Sequence, residues 1–199
     1  MKTLTVPYGK LPQEPSGYID NYRWDSTGYC PKGELYLSYD KENLYIKLFA
    51  PITEELTILT TRDNGPVWED NCLEFFFAPF GEEDDYLNIE CNPAAAMVIG
   101  KGKDRHDRTS VVAYLKPLLA PKTEIRAGEG WSVTYAFPFA AIREIFGKPF
   151  LAEKGAKFYF NAYLCGERTP IMHFGSWSPI DTESPDFHRP EFFGLGELG

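Results

Sequence analysis

Apolar and polar residues alternate in short runs over most of the chain, the two-residue period of half-buried strands. Residues 35–39 and 44–49 flank Asp40-Lys41-Glu42-Asn43, which predicts a hairpin with a four-residue turn. Residues 56–61 are short and β-branched and predict a third strand. From Asn71 the pattern places Asn71, Leu73, Phe75 and Phe77 on one side and Cys72, Glu74 and Phe76 on the other. The Leu/Phe face suits a core, so Glu74 is expected to point out of the opposite face. Gly65-Pro66 breaks the chain just before this strand and presents Trp68 at its entry.

The alternation continues through residues 86–92, with Leu87, Ile89 and Cys91 inward and Asn88, Glu90 and Asn92 outward. If this run pairs with the strand from Asn71, Glu90 and Asn88 share a face with Glu74. Residues 96–100 offer a return arm, 101–108 read as a charged loop, and 123–126 with 131–137 bracket Gly128-Glu129-Gly130 as a second hairpin. One short helix is predicted over 138–147, where Pro138 opens a run with Phe139, Ile142, Ile145 and Phe146 at helical spacing and Gly147 ends it. Residues 157–164 place Phe158, Phe160, Ala162 and Leu164 on one face and Tyr159, Asn161 and Tyr163 on the other, and 192–198 close the pattern. Residues 1–32, with Pro7, Pro12, Pro15 and Pro31, read as an irregular lead-in packed through Trp24. With no repeat and no linker, these elements predict one domain over 1–199, a mainly antiparallel β-sandwich with one short helix.

Composition sharpens this only in places. An aromatic share of 16% with 17 Gly and 16 Pro in 199 residues fits many strands joined by turns. A net charge of -9 argues against a nucleic-acid partner. Apolar runs are too short to span a membrane as helices. The N-terminus lacks the apolar core of a secretory signal, so the expectation is a cytoplasmic protein, or an extracellular one whose leader is missing from this sequence. Cys30, Cys72, Cys91 and Cys165 form no C-x-x-C pair, which argues against zinc. Cys72 and Cys91 fall on opposite faces of their strands, so no bridge between them is expected, and free thiols fit a reducing compartment.

An indole beside a carboxylate on a rigid strand is a means of gripping a sugar. The ring covers the apolar C–H face of a pyranose, and the carboxylate accepts hydroxyl protons. The alternative is that Trp68 packs inward and Glu74 is solvated. Glu74 and Glu90 could also be the paired carboxylates of a glycoside hydrolase, against the simpler reading of two outward acids on adjacent strands. His106, His173 and His188 have no metal-ligand spacing, and haem ligation by Met97 and His173 has nothing to tie the two together. The run Glu82-Glu83-Asp84-Asp85 could hold a structural calcium or be a solvated turn; no other cofactor is expected.

The order of motifs resembles carbohydrate-binding module family 9 and its single-domain relatives. The matching pieces are 35–40 leading to 43–46, then Asp63-Asn64-Gly65-Pro66-Val67-Trp68-Glu69-Asp70-Asn71-Cys72-Leu73-Glu74, and Ile89-Glu90-Cys91-Asn92-Pro93. Gly130-Trp131 running into Phe137-Pro138-Phe139, then Asn161, Trp177-Ser178-Pro179 and His188-Arg189-Pro190-Glu191-Phe192-Phe193-Gly194 complete the set. The likeness covers roughly 33–198. It implies a non-catalytic, jelly-roll-like sandwich that clamps a mono- or oligosaccharide between Trp68 and Trp177, with Glu74 holding hydroxyls and Asn161 assisting. Trp24 and Trp131 are then packing residues. Thr134 departs from the acidic residue common at its position in the family. Where sugar-binding members place an arginine beside the carboxylate, this chain offers Glu90 or Asn88. A hydrolase using Glu74 and Glu90, or a domain that keeps the fold without binding sugar, are the competing expectations.

Overall fold

The computed structural model describes residues 1–52 and 54–199. Two sheets pack face to face. The smaller has five strands: β2 (Gly17–Ile19), β3 (Gly33–Tyr39), β4 (Asn43–Ala50), β10 (Gly130–Pro138) and β9 (Lys122–Arg126), in that spatial order. The larger runs β1 (Thr3–Val6), β13 (Gly194–Leu198), β11 (Lys157–Gly166), β5 (Cys72–Ala78), β6 (Tyr86–Cys91), β7 (Met97–Gly102) and β8 (Arg108–Ser110), and β12 (His173–Ser176) also pairs with β11. The β1–β13 pair is parallel, and every other pairing between strands is antiparallel.

The predicted faces hold. Leu73, Phe75, Phe77, Leu87, Ile89, Phe158, Phe160 and Leu164 fill the space between the sheets with Leu35, Leu37, Ile46, Leu48, Trp131 and Val133 from the other side. Burial of these side chains supplies the main driving force, about 25 cal/mol per Å² of apolar surface. The helix α2 (Phe139–Phe146) follows β10 directly and ends at Gly147, whose φ of 75° is a left-handed cap that glycine adopts without strain. A second helix, α1 (Val112–Leu119), buries Val112, Leu115 and Leu119.

Besides the second helix, where the sequence predicts one, three expectations change. The lead-in is not wholly irregular: Leu4 and Val6 alternate inward on β1, and β2 pairs with β3. Residues 56–61 form no strand. Their backbone is held by side chains instead, with Thr57 N donating to Asn71 Oδ1 at 2.7 Å and Leu59 N to Asp70 Oδ1 at 2.8 Å. The outer face of the large sheet, expected to meet solvent, is roofed. Cys72, Phe76, Tyr86, Tyr163 and Cys165 pack there beneath Ile180, Phe187 and Phe193 as a second apolar cluster. Tyr163 stacks on Phe187 with ring centroids 4.0 Å apart.

Candidate functional site

The roof is incomplete, and the gap is a cavity of about 210 Å³. Its floor comes from the outer faces of β5 and β6. Register pairs Glu74 with Glu90, and Phe76 with Asn88, so both acids and the amide emerge side by side. Trp68, half-buried on a short 3-10 turn over Val67–Glu69, forms one wall. Phe174 from β12 and Phe187 from the roof supply the other apolar lining. Trp24 packs edge-on against Phe174 and donates its Nε1 proton to Thr182 O at 2.9 Å, which braces this side. The backbone N–H groups of Glu167 and Arg168 donate to Trp68 O and Glu69 O, pinning the segment after β11 to the tryptophan turn.

A guanidinium is also present. Arg108, at the start of β8, lays its head over the Tyr86 ring at 4.4 Å and donates from Nε to Asn88 Oδ1 at 2.8 Å. It also donates to Gly100 O at 2.8 Å and to Tyr86 O at 3.2 Å. Asn88 in turn donates to Glu90 Oε1 at 2.6 Å and accepts from Gly100 N. Glu90 and Asn88 lie on the floor beside Glu74, and Arg108, from a different strand, adds a guanidinium through Asn88. Sequence reading placed Arg108 in a charged loop because its route to the site depends on the β7–β8 hairpin. The usable signal was Gly100, where a Cβ would lie 2.7 Å from Asn88 Oδ1 and 3.1 Å from Arg108 Nε. A bare backbone on a polar strand face marks the path of a long side chain from elsewhere.

The floor acids are almost fully buried, Glu74 2% and Glu90 4% exposed. Loss of solvation pushes the Glu74 carboxyl well above its ordinary range, reinforced by Cys165 and by Glu90. Loss of solvation likewise raises Glu90 to about 7, tempered by the Asn88 hydrogen bond and by Arg108. Glu90 Oε2 has no hydrogen-bond partner among the described residues. Buried polar atoms are rarely left without a partner, and Glu90 is one of the residues that line the cavity. Desolvation pushes the His188 imidazole down to about 3, assisted by Arg108 and Arg105, so this ring on the cavity rim is neutral.

The structure gathers Trp68, Glu74, Asn88 and Glu90, and leaves out Trp177 and Asn161. Trp177 is 3% exposed and stacks on Phe160 in the core between the sheets, centroids 4.3 Å apart and planes 12° apart. The reason is strand parity. Phe174 pairs with Cys165 and faces outward, whereas Trp177 donates its backbone N–H to Ala162 O and points inward with Ala162. Asn161 is fully buried and serves the backbone, donating to Ser178 O at 3.0 Å and accepting from Ser178 N at 2.8 Å. His173 is buried away from this cavity, and Met97 is sealed in the main core. In the acidic turn, Asp84 and Asp85 pair with Lys148 and Lys101. No helix among the described residues is long and apolar enough to cross a membrane.

Comparison with known proteins follows the same lines. A Bacteroides uniformis protein inferred to bind carbohydrate superposes over 100% of this chain and 99% of its own, with a TM-score of 0.84 and 26% identity. A carbohydrate-binding module family 9 domain from Caldicellulosiruptor kristjanssonii, solved with glucose, covers 100% of this chain and 96% of its own at TM-score 0.64 and 15% identity. A family 9 module from the same organism with cellotriose covers 99% and 93% at TM-score 0.60 and 14% identity, and these two likenesses speak to fold alone. No curated protein matches the chain. The family model described as Carbohydrate-binding family 9 matches residues 13–198, nearly the whole chain. The chain therefore belongs to carbohydrate-binding family 9, a family of non-catalytic binding modules.

Proposed function

We propose that the cavity under Trp68 binds the end or a single ring of a carbohydrate, without turning it over. The observation that carries this reading is the floor of Glu74, Asn88 and Glu90 below a half-buried indole, with one Glu90 oxygen left without a partner among the described residues. The indole suits one apolar face of a pyranose, and Phe174 and Phe187 suit its far edge. This replaces the clamp of two tryptophans with one tryptophan and two phenylalanines. Glu74 and Glu90 serve as acceptors for hydroxyl protons, and Arg108 and Asn88 as donors. At about 210 Å³ the space is below the ~300–1,000 Å³ typical of larger small-molecule ligands, which favours one sugar ring over a chain.

Calorimetric titration with a panel of mono- and oligosaccharides tests the reading. Affinities are expected in the micromolar to millimolar range, because few groups converge on a small solvated ligand. Trp68→Ala is expected to weaken binding at least tenfold with the melting temperature nearly unchanged, and no hydrolysis product should accumulate. A panel with no binder, or a binder indifferent to Trp68→Ala, would overturn the assignment.

A further inference from the structure

The carbohydrate reading leaves without a role one buried thiol in the cavity lining, Cys165, and a second beside it, Cys72. Cys72 and Cys165 are direct partners across the β5–β11 pair, and Glu74 lies two positions along β5 on the same face. Cys165 Sγ is 3.0 Å from Glu74 Oε1. The two sulfurs and a carboxylate oxygen all lie within 4.8 Å of one another, and none of the three residues is more than 2% exposed. Cys165 and Glu74 line the cavity, and Cys72 lies out of its lining.

We propose that Cys72, Cys165 and Glu74 form a three-ligand site for a thiophilic ion of the zinc class, its fourth position open to the cavity. Tetrahedral bonding with Zn–S near 2.3 Å and Zn–O near 2.1 Å requires ligand atoms about 3.6–3.8 Å apart. With the donor atoms within 4.8 Å of one another and Cys165 Sγ 3.0 Å from Glu74 Oε1, the ion calls for side-chain adjustment but no strand shift, because one cross-strand pair and one i, i+2 neighbour fix the three positions. Two sulfurs among three donors select Zn²⁺, Cd²⁺ or Cu⁺ over Ca²⁺ and Mg²⁺, which take oxygen cages. Three protein ligands and one open position is the arrangement of sites that exchange a water for another oxygen. The ion enters as both thiols release their protons to solvent, with a third proton released wherever Glu74 starts protonated. The C-x-x-C rule does not find this set, because its ligands come from two strands distant in sequence.

Cadmium titration of the Cys30→Ser protein, without sugar, tests the site while removing the exposed thiol. The expected result is a thiolate-to-cadmium charge-transfer band that saturates at about one ion per chain, with about two to three protons released. Cys72→Ser should abolish the band and leave sugar binding in place, and Cys91→Ala, whose thiol faces the other core, should leave the band intact. Zn K-edge absorption of the zinc-loaded Cys30→Ser protein should read two sulfur neighbours with oxygens completing the shell. A missing band, a band that survives Cys72→Ser, or a zinc shell with fewer than two sulfurs overturns the proposal. The carbohydrate reading stands or falls separately, since Trp68→Ala removes sugar binding while the band persists.

Discussion

The Tyr86 hydroxyl lies 2.8 Å from His188 Nδ1, and this contact ties the roof over the cavity to the sheet beneath it. The His188 ring also packs 4.9 Å from the Phe76 centroid, in surroundings that hold it neutral down to about pH 3. Below an ordinary imidazole pKa near 6.5 the unfolded chain takes up a proton that the folded chain refuses, so the folded state loses ground. The contribution of His188 is present in full above about pH 6.5 and is lost as pH falls toward about 3. Glu90 works in the opposite sense. With its pKa raised to about 7, its share is present below about pH 4.5 and is lost as pH rises through about 7. Urea denaturation of wild type and His188→Gln at pH 7 and pH 4 separates the two. The variant, which keeps a partner for Tyr86, should lose less stability than wild type on acidification, by on the order of 2–3 kcal/mol. Equal losses would show that His188 is not the group responsible.

Trp177 is expected to matter for stability. Trp177→Ala removes the stacked ring from Phe160 and should cost about 3–5 kcal/mol, lowering the melting temperature by on the order of 10 °C. Gly194 abuts the same ring, where a Cβ would fall 2.2 Å from Trp177 Cζ3. Gly194→Ala should therefore cost about 1–3 kcal/mol through overpacking. Scanning calorimetry of both variants checks this; a Trp177→Ala protein of wild-type stability would remove Trp177 from the core.

Arg108→Lys keeps the charge and loses the fork. Its guanidinium donates to Asn88, Gly100 and Tyr86 at once, which a single ammonium cannot reproduce. Sugar affinity is expected to fall roughly tenfold because Asn88 is no longer fixed, with a stability loss of about 1–2 kcal/mol. Titration calorimetry with the best sugar of the panel measures the first, and unchanged affinity would place Arg108 outside the site.

Strand parity explains which parts of this arrangement were legible in sequence. The period of two located β5, β6 and β11 and assigned their faces, because Leu73, Phe75 and Phe77 alternate with Cys72, Glu74 and Phe76 without interruption. It could not show that the polar face is roofed, since Ile180 and Phe187 lie in segments with no period of their own and Phe193 sits just ahead of the closing strand. The same gap misplaced Trp177. Its inward direction follows from pairing with β11, a register fixed by contacts between distant segments. Residues 56–61 have strand composition, yet the N–H groups of Thr57, Leu59 and Thr60 donate to the side chains of Asp70 and Asn71, which propensity does not register.

Those side-chain partners lead to the remaining prediction. Asp70 is fully buried and accepts from Leu59 N at 2.8 Å, from Thr60 N at 3.2 Å and from Asn92 Nδ2 at 2.7 Å. It follows the 3-10 turn that carries Trp68, so it anchors both the 57–60 segment and the approach to the cavity. In Asp70→Asn one oxygen becomes an NH₂ group. If that group replaces Oδ2 it confronts the donors of Thr60 and Asn92; if it replaces Oδ1 it confronts Leu59 N. Either way a buried donor meets a donor, and at least one is left unsatisfied at about 1–3 kcal/mol, more where the lost acceptor was charged. Asp70→Asn is expected to lose about 2–4 kcal/mol. Amide exchange of Leu59 and Thr60 should speed up more than that of β3 and β4. Protection factors from hydrogen exchange check both parts. An Asp70→Asn protein with wild-type stability and unchanged exchange at Leu59 would mean that the backbone of 57–60 is held by something other than this carboxylate.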